Sequence, residues 1–318
     1  MQHHYRPPFW LVGRHLQTIL PALLWPLPEV QYCRTTWDTP DGDFIELDWL
    51  EGNQQQPLVI LFHGLEGSSN SHYALRIMAG LQKIGWRGVV VHFRGCGGKP
   101  NLKPRSYHSG DSAEIDWILK RLRAEHQGKI YAVGVSLGGN ALLKWLGEEQ
   151  DSAADTIDKA VAVSAPLALP TTGHVLGSGF NLIYTWLFLK TLRPKALAMI
   201  AKYQLAIQPE AITSAKTLWK YDDVFTAPLH GFQGVEDYWE KSNSRPLLKH
   251  IRLPTLLINA RNDPFLPEKD LPLAEELPAN VMLDFPEHGG HVGFASHFGH
   301  SEQDWLPSRI LRFLADNE

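Results

Sequence analysis

A serine between glycines, in Gly134-Val135-Ser136-Leu137-Gly138, is the pattern of this sequence with the clearest chemical meaning. An apolar strand pattern ends just before the serine, and a helical pattern begins just after it. In that context G-x-S-x-G places the serine on a tight, strained turn with its hydroxyl exposed at the edge of a sheet. A serine becomes a nucleophile only beside a base, so the sequence must supply that base elsewhere.

Histidine is the expected base because its pKa lies near neutrality. The chain has 15 histidines, and His291 follows the last predicted strand, 281–285, in the sequence EHGGHVGF. A loop there lies at the same edge of a parallel sheet as the serine turn. His288 lies on the same loop and is the alternative base. We favour His291 because the glycines of 289–293 frame it in a loop that can present its ring.

The base needs an acid that holds its tautomer and stabilises its charged form. Asp263 lies just past the carboxyl end of the penultimate predicted strand, 255–259, and is the expected acid. The three residues then follow in the chain order Ser136, Asp263, His291. The alternative is that Asp263 only begins a turn before Pro264, which is a common role of aspartate.

Acyl transfer also requires N–H donors for the negative charge that develops on the substrate oxygen. The sequence HGLEG follows the apolar strand that ends at Phe62, and the backbone N–H of Leu65 in this loop is one expected donor. The N–H of Leu137, directly after the serine, is the other. His63 is expected to hold the loop by hydrogen bonds rather than to take part in the chemistry.

Strand and helix patterns alternate along the chain, which predicts a mostly parallel central sheet with helices on both faces. Apolar or alternating runs predict strands over 32–38, 43–50, 57–62, 88–93, 129–135, 160–164, 255–259 and 281–285. Helical spacing predicts helices over 71–84, 111–126, 137–146 and 306–314.

Residues 166–250 interrupt this alternation. They are rich in Trp, Tyr, Leu and Lys and suggest helices without a buried strand, so we expect a helical cap inserted into a core formed by 1–165 and 251–318. Within the insertion, 180–189 (FNLIYTWLFL) is apolar almost all round if helical. One side is then expected to face the cap core and another the active-site cleft, although the helix could also be buried entirely within the cap.

Several motifs in order carry a resemblance to a known family. They are GRHLQTILP at 13–21, HGLEGSS at 63–69, FRGCGG at 93–98, GVSLGGN at 134–140, NARNDP at 259–264 and GGHVGF at 289–294. The sequence resembles the α/β-hydrolase superfamily and, within it, the AB hydrolase family of the bacterial putative esterase YheT and the eukaryotic ABHD lipid hydrolases. The resemblance implies a serine hydrolase that uses Ser136, Asp263 and His291. The N-terminal membrane anchor of the animal members is not expected here.

The composition excludes several classes of protein. With 318 residues, 44% of them apolar and 20% charged, the chain is an ordinary globular one. A net charge of −4 argues against a nucleic-acid partner. Two cysteines exclude a disulfide scaffold and suit the cytoplasm, and no segment has the length of a membrane span. Weak contact with a membrane surface is conceivable through Phe9, Trp10, Leu23, Leu24 and Trp25, which we rather expect to pack on the domain.

Three other patterns are set aside. His288, His291, His297 and His300 cluster in sequence but lack an HExxH motif, so no metal is expected. The glycine-rich segment 94–99 fails both phosphate-loop patterns because Pro100 occupies a required position. Cys96 in that segment is interpreted as a small residue in a tight loop.

The predicted function is therefore a serine esterase that works through an acyl-enzyme without a cofactor. The expected partner is a small, uncharged ester with a short to medium acyl chain. A serine at position 136 disfavours the hydrolases that use an aspartate nucleophile, such as dehalogenases and epoxide hydrolases. Two alternatives stay open at this point: an acyltransferase using the same three residues, and a non-catalytic binding protein on a hydrolase fold.

Overall fold

A computed structural model describes residues 5–295 and 304–316, and an eight-stranded sheet forms its centre. Each strand contains β-branched residues, and the inner strands are buried on both faces. The strands are β1 Cys33–Asp38, β2 Phe44–Leu50, β3 Leu58–Phe62, β4 Arg87–His92, β5 Ile130–Val135, β6 Lys159–Val163, β7 Thr255–Ile258 and β8 Val281–Asp284.

The strand order in the sheet is β1-β2-β4-β3-β5-β6-β7-β8. β2 pairs antiparallel with β1 and with β4, and every other pairing is parallel. The carboxyl ends of β3, β5, β7 and β8 therefore meet at one edge of the sheet. The loops that follow these four strands carry all the residues predicted to do chemistry.

Helices cover both faces of the sheet, as the alternating pattern predicts. On one face pack α2 (His72–Lys83) and α11 (Trp305–Ala315), whose buried residues join a cluster with Val59, Leu61 and Val133. On the other face pack α3 (Ser112–Glu125) and α4 (Leu137–Glu149), in a cluster with Ile60 and Phe62.

The element boundaries differ little from the predicted ones, with one clear addition. A helix not predicted from the sequence, α1 (Arg14–Leu23), precedes the sheet. Pro21 within it lacks an N–H donor, which disfavours a helix on local propensity alone. Its buried residues include Gln17 and Thr18, which bond to loops at the carboxyl edge of the sheet. Long-range contacts thus stabilise a helix that local propensity disfavours.

Residues 166–250 form helices and contain no strand. The α-helices are α5 (Leu169–Leu176), α6 (Leu182–Tyr203), α7 (Pro209–Ser214), α8 (Leu218–Tyr221), α9 (Ala227–Leu229) and α10 (Val235–Ser242). A single π-helical turn, Asp222–Thr226, joins α8 to α9. These helices enclose an apolar core of their own.

Two expectations about apolar side chains are only partly confirmed. At the start of α6, Tyr184 and Leu189 are buried in a core as expected, but most of the other side chains of the run face solvent and only Phe188 reaches the cleft. Of the five N-terminal residues expected to pack on the domain, Trp25 does so, against Leu11 and Ala295, whereas the other four are exposed: Phe9, Trp10, Leu23 and Leu24. Local sequence could not predict these results, because helical periodicity shows which side chains share a face but not what covers that face.

Within the described ranges, no helix combines the length and apolar character needed to cross a bilayer. The longest, α6, also carries four basic residues: Lys190, Arg193, Lys195 and Lys202.

Candidate active site

Ser136 lies in the sharp turn between β5 and α4, with φ 52° and ψ −120°. A non-glycine residue at positive φ is strained, and surrounding contacts must hold it in place. Its N–H donates to the carbonyl of Val163 (2.8 Å), and its own carbonyl accepts from the N–H of Asn140 (3.0 Å). A Cβ at Gly138 would collide with the carbonyl oxygen of Phe62, so only glycine lets this turn approach β3.

The predicted base and acid lie in line with the serine. His291 Nε2 is 3.0 Å from Ser136 Oγ, and His291 Nδ1 is 2.8 Å from Asp263 Oδ2. The other Asp263 oxygen accepts from the N–H of Phe265 (2.8 Å), which fixes the carboxylate. With Nδ1–H donating to the buried carboxylate, the neutral imidazole presents an unprotonated Nε2 to the serine hydroxyl.

The geometry separates the two histidines that the sequence left as competitors. His288 is exposed, and its Nδ1 is 3.5 Å from Asn262 Nδ2. His291 alone of the two contacts both Ser136 and Asp263. Its ring is also close to Phe265, with ring centroids 4.2 Å apart, which limits its rotation.

Two residues that the sequence reasoning missed hold the base and acid loops together. Thr18 Oγ1 on α1 accepts from the N–H of His291 (2.9 Å). Gln17 Oε1 accepts from the N–H of Gly289 (2.9 Å) and from Asn262 Nδ2 (2.8 Å), next to the acid. The only available sequence signal was the family-like segment 13–21, whose role could not be read without its distant partners.

The close packing of α1 against the loop that carries His291 explains why residue 293 of that loop is glycine. A Cβ on Gly293 would overlap the carbonyl oxygen of Gln17, so a larger residue would push α1 away from the loop. That carbonyl would normally accept from the residue four positions later, which is Pro21 and has no N–H. α1 is thus shaped to dock closely against this loop.

The loop after β3 places the predicted oxyanion donors near the serine. A Cβ on Gly64 would lie 3.1 Å from Ser136 Cβ, so this loop touches the serine turn. On either side of Leu65, the N–H of Gly64 donates to Tyr73 Oη (2.8 Å) and the N–H of Glu66 to Tyr107 Oη (2.8 Å). Glu66 has a positive φ of 56°, which turns the chain sharply there.

The N–H groups of Leu65 and Leu137 differ from these neighbours. Among the described residues, no backbone bond outside the regular elements uses either N–H. Leu137 opens α4, and the first N–H groups of a helix have no partner within it. Both residues line the same cavity as the serine.

His63 has the structural role that the sequence suggests. It is fully buried, its Nδ1 is 2.7 Å from the carbonyl of Gly64, and its Nε2 accepts from the N–H of Phe93 (3.1 Å). Burial lowers the pKa of His63 to about 3, so the ring stays neutral at ordinary pH. It joins the loops after β3 and β4.

The buried carboxylate of Asp48 supports the loop after β3 on its side away from the cavity. Asp48 accepts from Arg34, from His92 (2.9 Å) and from Ser69 Oγ (2.5 Å), and Ser69 belongs to the loop after β3. Burial alone would raise the pKa of Asp48, but these hydrogen bonds outweigh it and hold the pKa well below its usual range. This charged network is structural, because it lies behind the loop and away from the cavity.

The segment 94–99 carries neither a phosphate site nor a reactive thiol. The Arg94 guanidinium is buried and bound by Glu114 (2.6 Å), Asp41 (2.8 Å) and Asp43 (3.1 Å), so it has no capacity left for an anion. Burial raises the pKa of the Cys96 thiol to about 12, which keeps it protonated and poorly nucleophilic.

A cavity of about 450 Å³ opens between the sheet edge and the helices of 166–250, and both Ser136 and His291 line it. Of the apolar run 180–189, only Phe188 reaches its wall. The expected apolar lining is present, but other residues supply most of it: Leu137, Leu169, Leu176, Leu192, Met199 and Phe225.

Two carboxylates line this mostly apolar cavity, Glu66 and Asp222. Asp222, in the π-helical turn, accepts from Thr226 Oγ1 (2.7 Å) and from Trp239 Nε1 (2.9 Å). Burial raises its pKa to about 6, against the opposing effect of these two hydrogen bonds. No sequence pattern pointed to Asp222, because only the folded insertion brings it to the cavity.

Polar contacts connect α6 to the loops around the cavity. Lys195 Nζ pairs with Glu66 Oε2 (2.8 Å), next to the predicted oxyanion donor Leu65. About two turns further along, Lys202 Nζ and Tyr203 Oη both donate to the carbonyl of Asn101 (2.9 and 3.0 Å). Through these bonds, α6 contacts the loops that follow β3 and β4.

Over 5–295 and 304–316, no group of three or more His, Cys, Asp or Glu side chains has an arrangement that could hold a metal ion. Of the histidines set aside above, His297 and His300 lie outside the described residues.

A sequence profile of the alpha/beta hydrolase fold matches residues 57–298, which is most of the chain. The chain belongs to the alpha/beta hydrolase family. This hydrolase is 40% identical to "Putative esterase YheT" of Escherichia coli, over 94% of this chain and 89% of the relative. It is also 27% identical to "Phospholipase ABHD3" of Homo sapiens, over 98% of this chain and 78% of the relative.

Solved structures agree on the fold of the hydrolase. An esterase of Pyrococcus furiosus superposes with a TM-score of 0.57 at 20% identity, covering 98% of this chain and 97% of the other. The predicted α/β-hydrolase fold and the family resemblance are therefore confirmed. The profile begins after α1, so Gln17 and Thr18 lie outside the part of the chain that it matches.

Proposed function

We propose that this hydrolase is a serine esterase that cleaves carboxylic esters through an acyl-enzyme. The observation that carries the proposal is the continuous chain Ser136 Oγ–His291–Asp263, with spacings of 3.0 and 2.8 Å, opening into a cavity. Several relatives have names that describe ester cleavage, among them an esterase, a phospholipase and a yeast monoacylglycerol lipase.

In the first half of the reaction, His291 Nε2 takes the proton from Ser136 Oγ as the oxygen attacks the ester carbonyl. Asp263 holds the ring through Nδ1 and stabilises its positive charge. The N–H groups of Leu65 and Leu137 donate to the oxyanion of the tetrahedral intermediate. His291 then protonates the leaving alcohol, and the acyl group stays on Ser136.

In the second half, a water molecule replaces the alcohol. His291 removes a proton from the water as it attacks the acyl-enzyme, and Leu65 and Leu137 again hold the oxyanion. Collapse of this intermediate returns the proton to Ser136 and releases the acid. The cycle needs no metal or cofactor, because each proton moves between Ser136, His291 and the reactants.

The cavity favours uncharged esters of small to moderate size. Its wall is mostly apolar, and each buried methylene contributes about 0.8 kcal/mol of transfer free energy. A charged acyl group would lose much of its hydration there, where Lys195 is already paired with Glu66 and Lys202 donates to the carbonyl of Asn101. We propose that 166–250 act as a cap over a core of 1–165 and 251–318, and that the enzyme works in the cytoplasm.

The direct test is covalent labelling with a fluorophosphonate together with ester turnover. Wild type should be labelled at Ser136, and Ser136→Ala should lose labelling and about 10³-fold or more of its turnover while remaining folded. Undiminished turnover by Ser136→Ala would refute the proposal.

Ser106 offers a matched control for this test. It also lines the cavity and also has a histidine partner, His230 Nε2 at 3.2 Å. Burial lowers the pKa of His230 to about 3, which makes it a poor proton acceptor. Ser106→Ala should therefore keep both labelling and turnover.

A further inference from the structure

The large apolar side chains that this hydrolase exposes to solvent are unevenly distributed along the chain. Sixteen such side chains are exposed among the described residues, and twelve of them lie within two short segments, 9–27 and 180–187. We call these twelve side chains the apolar patch. Several are strongly exposed, among them Phe9 (93%), Leu23 (74%) and Trp186 (57%). Contiguous exposed apolar surface on this scale marks an interaction site.

The two segments of the apolar patch meet where α1 contacts the start of α6. The ring of His15 on α1 is 4.2 Å from the ring of Phe180, and His15 Nδ1 is 3.2 Å from Tyr184 Oη on α6. Exposed neighbours flank this junction on both helices, Leu16 on one side and Ile183 on the other.

The orientation of α1 is the reverse of that of an ordinary surface helix. Its polar residues Gln17 and Thr18 face inward and bond to the histidine loop, while Leu16 and Leu23 face outward. Leu16 and Leu23 are seven residues apart and therefore share one helical face. A water-facing helix normally shows the opposite pattern.

The charge around the patch identifies its partner. Residues 5–28 and 160–209 contain no Asp or Glu, although the whole chain has a net charge of −4. Their fixed positive charges include the exposed Arg6, Arg14 and Lys190. The exposed Glu29 lies just past one end of the patch. An apolar surface bordered mainly by positive charge matches a bilayer that contains anionic lipid.

We propose that the apolar patch docks this hydrolase onto an anionic lipid bilayer. The docked surface is connected to the candidate active site by direct contacts. Tyr184, which bonds to His15, has its ring 4.7 Å from that of Phe265, and Phe265 is 4.2 Å from the ring of His291. A docked molecule thus holds the base beside the membrane surface, where apolar esters concentrate.

The test is sedimentation with vesicles of phosphatidylcholine, with and without phosphatidylglycerol. Wild type should bind the vesicles with phosphatidylglycerol and release them at high salt, where surface charges are screened. The double variant Leu23→Ser, Trp186→Ser should lose about tenfold or more of that binding. Arg14→Glu, Lys190→Glu should abolish the preference for anionic vesicles, since each basic residue contributes about fivefold near such a surface.

Matched controls are available elsewhere on the surface. Ile84 and Leu273 are comparably exposed but lie outside both segments, so Ile84→Ser, Leu273→Ser should bind vesicles as wild type does. All variants should keep wild-type turnover of a soluble ester, because none of these residues lines the cavity. That readout separates this proposal from the proposed esterase activity.

Three results would overturn the proposal. The first is no binding of wild type to anionic vesicles, and the second is equal binding by the patch and control variants. The third is a stable dimer in light scattering that becomes monomeric in Leu23→Ser, Trp186→Ser, since the patch would then serve a second copy of the chain.

Discussion

Replacing Thr18 by valine tests whether α1 positions the base. Thr18 is buried, and its Oγ1 accepts from the N–H of His291 (2.9 Å) while donating to the carbonyl of Arg14 (2.8 Å). Valine keeps the shape but cannot accept a hydrogen bond, so the N–H of His291 loses its partner.

The expected loss of kcat follows from the free-energy cost of leaving this N–H without a hydrogen-bond acceptor. A buried N–H without a partner costs about 1–3 kcal/mol, and the loop can avoid this cost by moving toward water. Such a movement would displace His291 from Ser136, and a shift of about 1 Å at a catalytic group can cost about 100-fold in rate. Thr18→Val should therefore lower kcat roughly 10- to 100-fold and leave KM nearly unchanged.

The assay is steady-state hydrolysis of a soluble p-nitrophenyl ester, with urea unfolding on the same samples. Thr18→Ser keeps the hydroxyl and should stay close to wild type in kcat. Thr255→Val is the control for loss of a buried hydroxyl: Thr255 is fully buried and donates to the carbonyl of Leu253 (2.9 Å), away from the cavity. The reasoning is refuted if Thr18→Val retains wild-type kcat, or if Thr255→Val loses as much.

Three other outcomes are expected. Asp263→Asn should lower kcat by several orders of magnitude, roughly 10⁴-fold as in other triads. His288→Ala, at an exposed residue, should change kcat only slightly, and a large loss in this variant would count against His291 as the base. In a p-nitrophenyl series from acetate to palmitate, kcat/KM should rise by up to about fourfold per methylene and level off once the cavity is full; a flat profile would contradict an apolar acyl site. The pKa of His63 is about 3 in the folded protein and near 6.5 in the unfolded chain, so the unfolded chain binds the proton first as the pH drops. This group should therefore lower the free energy of unfolding by about 1.4 kcal/mol per pH unit between pH 6.5 and 4. Urea titrations at several pH values, with NMR of the His63 ring, test this, and protonation of the folded ring near pH 6 would contradict it.

The sheet and the chemistry at its edge could be predicted from local sequence. Short apolar runs between turn signals have few alternatives to buried parallel strands, and the strands found agree with those expected apart from small shifts at the ends. The carboxyl ends of such strands share an edge, so Ser136, Asp263 and the histidine loop had to approach one another. The elbow at Ser136 is equally local, since it depends on glycines within two residues of the serine.

The choice between the two histidines needed the fold. His288 and His291 share a glycine-rich loop, and their sequence surroundings favoured one without excluding the other. The structure turns His291 toward Ser136 because Thr18 and Gln17 bind the loop backbone from outside. Those contacts join residues more than 270 positions apart.

The same limit explains why α1 was not predicted and why the solvent-exposed side chains of α6 were expected at the cleft. Helical periodicity tells which side chains share a face, but not whether solvent, the cavity or another element covers that face. For α1 the answer reverses the usual pattern, since its polar side chains are buried by bonds to loops far along the chain, such as the one from Asn262 to Gln17 across 245 positions. The sequence by itself determined the strands and the reactive side chains, because spacing within a few residues governs them. Only the tertiary structure decided which surfaces those elements bury, because that depends on partners distant in the chain.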